Sequence, residues 1–151
     1  QVMTNQKLDT LLKRFDKDVM TERLGFWQLN YQGQLLYVVT DDKSNRMRII
    51  MPITEASQLE KEHLQRLMQA NFDTALDARY AIAQGNVWSA FIHPLGSLSE
   101  RDFFSGLAQV ITLAKTFGTT FSSGALSYSG GDSRGEQEKL YQQLLQQGLS
   151  V

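Results

Sequence analysis

Three consecutive strand-like runs in the first third of the chain constrain its fold more than any other feature. They cover residues 25–31, 34–40 and 46–53, with short polar segments between them. The last run alternates apolar side chains with Arg46 and Arg48, which is the period of two that a half-buried strand requires. Because parallel strands need a crossover of a dozen or more residues, connections this short predict an antiparallel meander.

Two amphipathic helices are predicted on either side of this meander. The first covers residues 4–19, and its apolar residues recur at gaps of three and four. They are Leu8, Leu11, Leu12, Phe15 and Val19. The second helix is predicted to open at Ser57, because Ser57 and Glu60 match a capping box. Its apolar stripe consists of Leu64, Leu67, Met68 and Phe72.

The second half of the chain predicts a hairpin of residues 78–83 and 87–93, followed by a third helix. Ser99 matches an N-cap of that helix, and Gly118 stands where a C-cap glycine is expected. The predicted fold is α+β: a five-stranded antiparallel sheet with helices, in the order α-β-β-β-α-β-β-α, plus a C-terminal tail helix.

Composition changes after this core and predicts a division into three parts. Residues 1–118 form the α+β domain, and residues 119–133 form a Ser/Gly-rich linker that we expect to be irregular. Residues 134–151 form the tail helix, with a cap signal at Ser133 and Glu136. The apolar residues of the tail are Leu140, Tyr141, Leu144 and Leu145.

Two predicted strands carry apolar residues on both faces. The strand at residues 34–40 has Leu35, Tyr37 and Val39 on one side and Leu36 and Val38 on the other. The strand at residues 87–93 is similar. A sheet with one face in water shows apolar residues only at alternate positions. The second face is therefore covered by the tail helix, a second subunit or a bound chain, or these are central strands with helices partly on both sides.

Composition excludes several classes of function. The formal net charge is −1, so no strong field favours nucleic acid. There is no cysteine, and no apolar run approaches the ~20 residues of a membrane span. The two histidines, His63 and His93, stand in no metal-binding motif. Residues 130–133 match neither a phosphate-binding loop nor a nucleophile elbow. We therefore expect no catalytic residue, metal or cofactor.

The second half of the chain also carries a resemblance to a known family. The segments concerned are residues 64–72 (LQRLMQANF), 78–83 (ARYAIA), 85–95 (GNVWSAFIHPL) and 98–103 (LSERDF). Together with the order of elements over residues 5–118, they resemble the bacterial type III secretion chaperones of the Tir-chaperone class and the related YbjN-like family. The chain differs from such chaperones in its near-neutral charge.

The resemblance implies a homodimer that binds an extended segment of another protein in the cytoplasm. Candidate contacts to the partner or the second subunit are Leu36, Val38, Leu64, Leu67, Met68, Trp88 and Ile92. Two alternatives remain: an exported envelope protein of structural role, periplasmic or secreted if a signal peptide preceded Gln1, and an enzyme with a dispersed site.

Overall fold

A computed structural model describes residues 2–73, 76–120 and 126–127, the last pair and residues 119–120 by their backbone alone. The described helices are α1 (Asn5–Phe15), α2 (Lys61–Asp73) and α3 (Glu100–Thr116). The strands of the main sheet are β1 (Met20–Arg23), β2 (Phe26–Tyr31), β3 (Gln34–Asp41), β4 (Arg46–Glu55), β5 (Arg79–Ala83) and β6 (Asn86–His93). A separate pair consists of β7 (Thr119–Thr120) and β8 (Leu126–Ser127).

The main sheet is antiparallel throughout, in the order β1-β2-β3-β4-β6-β5. The α+β class and the order of the predicted elements are confirmed, but the prediction of five strands is wrong because the sheet has six. The additional strand is β1, whose four residues are all exposed. The sequence of β1, MTER, shows no alternation of apolar and polar residues. Its contribution to the sheet is the backbone pairing with β2 at the sheet edge.

Both predicted two-residue turns adopt the backbone conformation that tight β-hairpins require. Gln32 and Gly33 have φ of 51° and 83°, and Gln84 and Gly85 have φ of 53° and 78°. Positive φ at both central residues marks a type I′ turn, whose twist matches that of the paired strands. These turns fix the registers of β2 with β3 and of β5 with β6.

Two helix boundaries differ from the sequence-based prediction. Helix α1 ends at Phe15 and not at residue 19, because Asp16 is extended and its side chain accepts a hydrogen bond from the N–H of Asp18. Helix α2 starts at Lys61 and not near Ser57, which lies in a 3₁₀ turn. The N–H of Ala56 donates to the carbonyl of Gly85, so a tertiary bond holds this segment.

Helix α3 is buried on nearly all sides and forms the centre of the core. It starts at Ser99, whose side chain accepts from the N–H of Asp102, and Gly118 follows its end with φ of 69°. Both predicted caps are therefore confirmed. Helix α1 packs on α3 through the rings of Phe15 and Phe104, whose centroids are 5.9 Å apart.

A part-buried polar link joins α1 to the sheet. The indole Nε1 of Trp27 donates to Asp9 Oδ1 at 2.9 Å, and Lys13 Nζ lies 2.8 Å from Asp9 Oδ2. The Lys13 contact, and next the Trp27 hydrogen bond, lower the pKa of Asp9 below its usual value. The ionised carboxylate thus satisfies an indole N–H that belongs to a fully buried side chain.

The predicted linker and tail helix lie largely outside the described residues. Of the linker, residues 119–120 and 126–127 pair as β7 and β8. The predicted tail helix at residues 134–151 lies entirely outside the described part of the chain.

Candidate protein-binding surface

The two faces of the main sheet have different environments. One face carries Leu36, Val38 and Ile49, all fully buried. The helices of the described chain pack on this face: Ser89 Oγ donates to the carbonyl of Val110, and the Tyr80 hydroxyl donates to that of Leu113. Leu36 and Val38, two of the predicted contact residues, are therefore core residues and offer no side-chain surface to a partner.

The opposite face, which we call the open face, is apolar but bears none of the described helices. Strand register places alternate residues of β2, β3, β4 and β6 on it. Its apolar members are Phe26, Leu35, Tyr37, Val39, Ile50, Trp88, Ala90 and Ile92. Most of these are half-buried by their neighbours, whereas Ile92 is 59% exposed. An exposed apolar patch on a soluble protein commonly marks an interaction site.

The open face extends to the β1 edge through two aromatic residues. The rings of Phe26 and Tyr37 lie 5.8 Å apart at a tilted angle. The guanidinium of Arg23, in β1, lies 5.6 Å from the centre of the Phe26 ring. The short exposed strand β1 therefore borders an apolar surface, as a strand-addition site requires.

Pro52 opens a cleft within the sheet. The ladder between β3 and β4 ends at the pair Tyr37–Ile50, although Pro52 would face Leu35 if it continued. Proline has no N–H to donate to a neighbouring strand. The two strands part there around a cleft of about 370 Å³, lined on its other side by Ala114 of α3.

A second apolar surface lies between α2 and the edge strand β5. A groove of about 170 Å³ there is lined by Leu64, Leu67, Met68, Asn71, Tyr80, Ala81 and Ile82. Met68 is 70% exposed and Ile82 is 54% exposed. We call this the α2–β5 surface. The side-chain amide of Asn71 bonds both the N–H and the carbonyl of Tyr80, so it blocks strand addition to β5 at that residue.

The predicted contact residues thus fall into three places. Leu64 and Met68 lie on the α2–β5 surface, with buried Leu67 as its floor, and Trp88 and Ile92 lie on the open face. Sequence reasoning missed the cleft, although Pro52 within a predicted strand was its signal. It also included Phe72 in the apolar stripe of α2, but Phe72 is 90% exposed.

The candidate metal ligands of the described chain are its two histidines and its acidic side chains. No three His, Asp or Glu side chains in the described ranges come together as metal ligands. His63 Nδ1 accepts from the N–H of Glu60 at the start of α2. His93 stacks on Phe91, and its Nδ1 lies 2.8 Å from the carbonyl oxygen of Pro94. None of the described helices is long and apolar enough to cross a membrane.

Comparisons with known proteins define the fold. No protein-family model and no curated protein matches the chain. Solved structures do match it. The HopA1–SchA chaperone–effector complex contains a chain with 13% identity and a TM-score of 0.57, over 74% of this chain and 92% of that one. The ExsC–ExsE complex gives 15% identity and a TM-score of 0.61, over 75% and 92%.

A third match is the Yersinia pestis type III secretion chaperone SycH in complex with a stable fragment of YscM2. It has 15% identity and a TM-score of 0.54, over 71% of this chain and 96% of that chain. Identities this low carry information on fold and not on shared residues in a site. The chain therefore has a type III secretion chaperone-like fold, as its sequence resemblance implied. The resemblance to the YbjN-like family stays a prediction.

Proposed function

We propose that this protein is a non-enzymatic, chaperone-like binding module that holds an extended segment of a partner protein. The observation that carries the proposal is the apolar open face, which adjoins an exposed edge strand at β1. The fold supports the same reading, because the structures with this fold include a chaperone–effector complex and a secretion chaperone bound to a protein fragment. The proposal places the protein in the cytoplasm, where a partner would be held before export.

The open face and the β1 edge suit an extended polypeptide. Backbone pairing at a strand edge supplies hydrogen bonds that any sequence can make, and alternate side chains of the added strand supply selectivity. Those side chains would reach Phe26 and Tyr37 first and the cleft beside Leu35 next. Apolar burial and neutral hydrogen bonds are screened far less by salt than ion pairs are.

We expect partner peptides to bind this face with little change between low and high salt. Overlapping peptides, taken from proteins recovered by pull-down and mass spectrometry, would be titrated while Trp88 fluorescence and backbone amide shifts are followed. Ile92→Asp should abolish binding, because it puts a charge in the open face. Val2→Asp is the matched control, since Val2 has similar exposure but lies beside α1, on neither the open face nor the α2–β5 surface.

Two results would contradict the proposal. Binding that disappears at high salt, or that maps only to Arg46 and Arg48, would indicate electrostatic recognition. Binding that Ile92→Asp leaves intact would place the site elsewhere.

We also propose that the protein is a homodimer joined through the α2–β5 surface. Its exposed apolar residues are Met68, from helix α2, and Ile82, from edge strand β5, and the exposed Phe72 follows Met68 by one helical turn. A two-fold interface requires such a self-complementary patch on each subunit. The blocked edge at Tyr80 favours side-chain packing over a continuous sheet between subunits.

We expect light scattering to give the dimer mass for the wild-type protein and the monomer mass for Ile82→Asp and Met68→Glu. Each change would bury a charge without a partner in the dimer while leaving the exposed monomer surface solvated. Ile92→Asp, on the open face, should leave the dimer intact. A wild-type monomer at all concentrations would disprove the dimer.

A further inference from the structure

We infer that the open face is the docking site of the chain's own tail, residues 134–147, bound in the same molecule as an amphipathic helix. This inference does not rest on the proposed function, because it requires no partner protein. It concerns the state of the open face when nothing else is bound. Three features of the described residues carry it: the uncovered apolar face, the point where the chain leaves the core, and the charge on that face.

The first feature is the size and composition of the face. The apolar residues of β2, β3, β4 and β6 form a surface that Arg48 interrupts between Val39 and Ile92, and β5 adds Ala81 next to Trp88. Neighbouring strands lie about 4.8 Å apart, so these five strands span roughly 19 Å. A helix of residues 134–147 would be about 21 Å long at 1.5 Å per residue. The helix would therefore cross the face from side to side, and its stripe of three leucines and one tyrosine, residues 140–145, would cover about 8 Å of it.

The second feature is where the described chain turns away from α3. Ala114, in the last turn of α3, lines the cleft that Pro52 opens between β3 and β4. Leu35 and Tyr37, residues of the open face, line the same cleft. The chain that follows α3 thus starts beside a gap leading from the helix-covered side toward the open face. Residues 128–151 follow β8, enough to supply a connection and a helix.

The third feature is charge. Arg48 stands on the open face between Val39 and Ile92, and it forms no ion pair with any residue of the described ranges. In the tail, Glu136 precedes Leu140 by four residues and therefore lies at the end of the apolar stripe. A helix placed with Leu140 and Leu144 on the face can bring this carboxylate to the guanidinium. The tail helix and the face thus agree in charge as well as in length.

Substitutions in the tail test this docking, since they leave the core sequence unchanged. Trp27 is fully buried, so acrylamide quenching of the native protein reports mainly on Trp88 in the open face. Leu144→Glu should increase that quenching and shift the amide resonances of β3, β4 and β6. Gln146→Glu is the matched control, because Gln146 lies on the opposite side of the predicted helix and should change neither signal.

Cross-linking gives an independent measurement, because the chain has no cysteine. Ile92→Cys combined with Leu140→Cys should form a disulfide within one chain, whereas Ile92→Cys combined with Gln146→Cys should not. Equal quenching and equal shifts for Leu144→Glu and Gln146→Glu, with no disulfide from either pair, would overturn the inference. Disulfides that join two chains, or shifts that depend on protein concentration, would assign the face to a second copy and overturn it as well.

Discussion

Phe103→Ala is expected to lower the free energy of unfolding by about 3–5 kcal/mol, the usual result of truncating a buried phenylalanine. Phe103 is in the first turns of α3, has no exposed surface, and its ring meets that of Phe104 with centroids 5.4 Å apart. Truncation would remove these contacts and leave a cavity between α3 and its neighbours. The surrounding side chains belong to two helices and a sheet, so they can close that cavity only in part.

Phe72→Ala is the matched control for this prediction. The same substitution at a phenylalanine that is 90% exposed should change the free energy of unfolding by less than about 0.5 kcal/mol. Urea denaturation followed by circular dichroism measures both variants, at a protein concentration low enough to keep them monomeric. A loss below about 1 kcal/mol for Phe103→Ala would show that the α3 core is not packed as described.

The contrast between these two phenylalanines shows how far a sequence pattern reaches. The stripe of α3 identified Phe103 and Phe104 correctly, because a helix at the centre of a core is buried wherever it is apolar. The stripe of α2 identified an apolar surface, but it did not show whether the core or another molecule covers that surface. Of this helix, only Leu67 and Ala70 are buried, since it contacts the sheet mainly at the edge strand β5. Periodicity reports which side is apolar and not which molecule covers it.

Other features were predictable or not according to whether they depend on neighbouring residues or on distant ones. The hairpin turns and the caps at Ser99 and Gly118 were predictable, because each depends on neighbouring residues alone. Strand β1 and the start of α2 were not. The first depends on backbone pairing with β2, and the second on the bond from Ala56 to the turn at Gly85. The sequence correctly predicts that β3 is apolar on both faces. Only the structure shows which of these faces the described helices cover.

Gly106→Ala is expected to destabilise the fold by about 1–3 kcal/mol, the usual cost of overpacking a core. Gly106 is buried in the middle of α3, where it faces β6. A Cβ added there would lie 2.5 Å from Cε2 and 2.8 Å from Cγ of Phe91. Alanine is the better helix former by about 1 kcal/mol, so helix propensity alone predicts the opposite sign. The outcome therefore decides between local propensity and tertiary packing.

A double-mutant cycle with Phe91→Leu isolates the contact. The smaller leucine gives the new methyl group room, so we expect Gly106→Ala to cost less in the Phe91→Leu background than in the wild type. Residues in contact commonly show coupling of about 0.5–3 kcal/mol. Denaturation curves of the four proteins measure it directly. Stabilisation by Gly106→Ala alone, or additive effects in the double variant, would mean that the backbone of α3 does not approach the Phe91 ring this closely. Because α3 is the helix against which β4, β6 and α1 pack, that result would also require a different placement of the sheet that bears the open face.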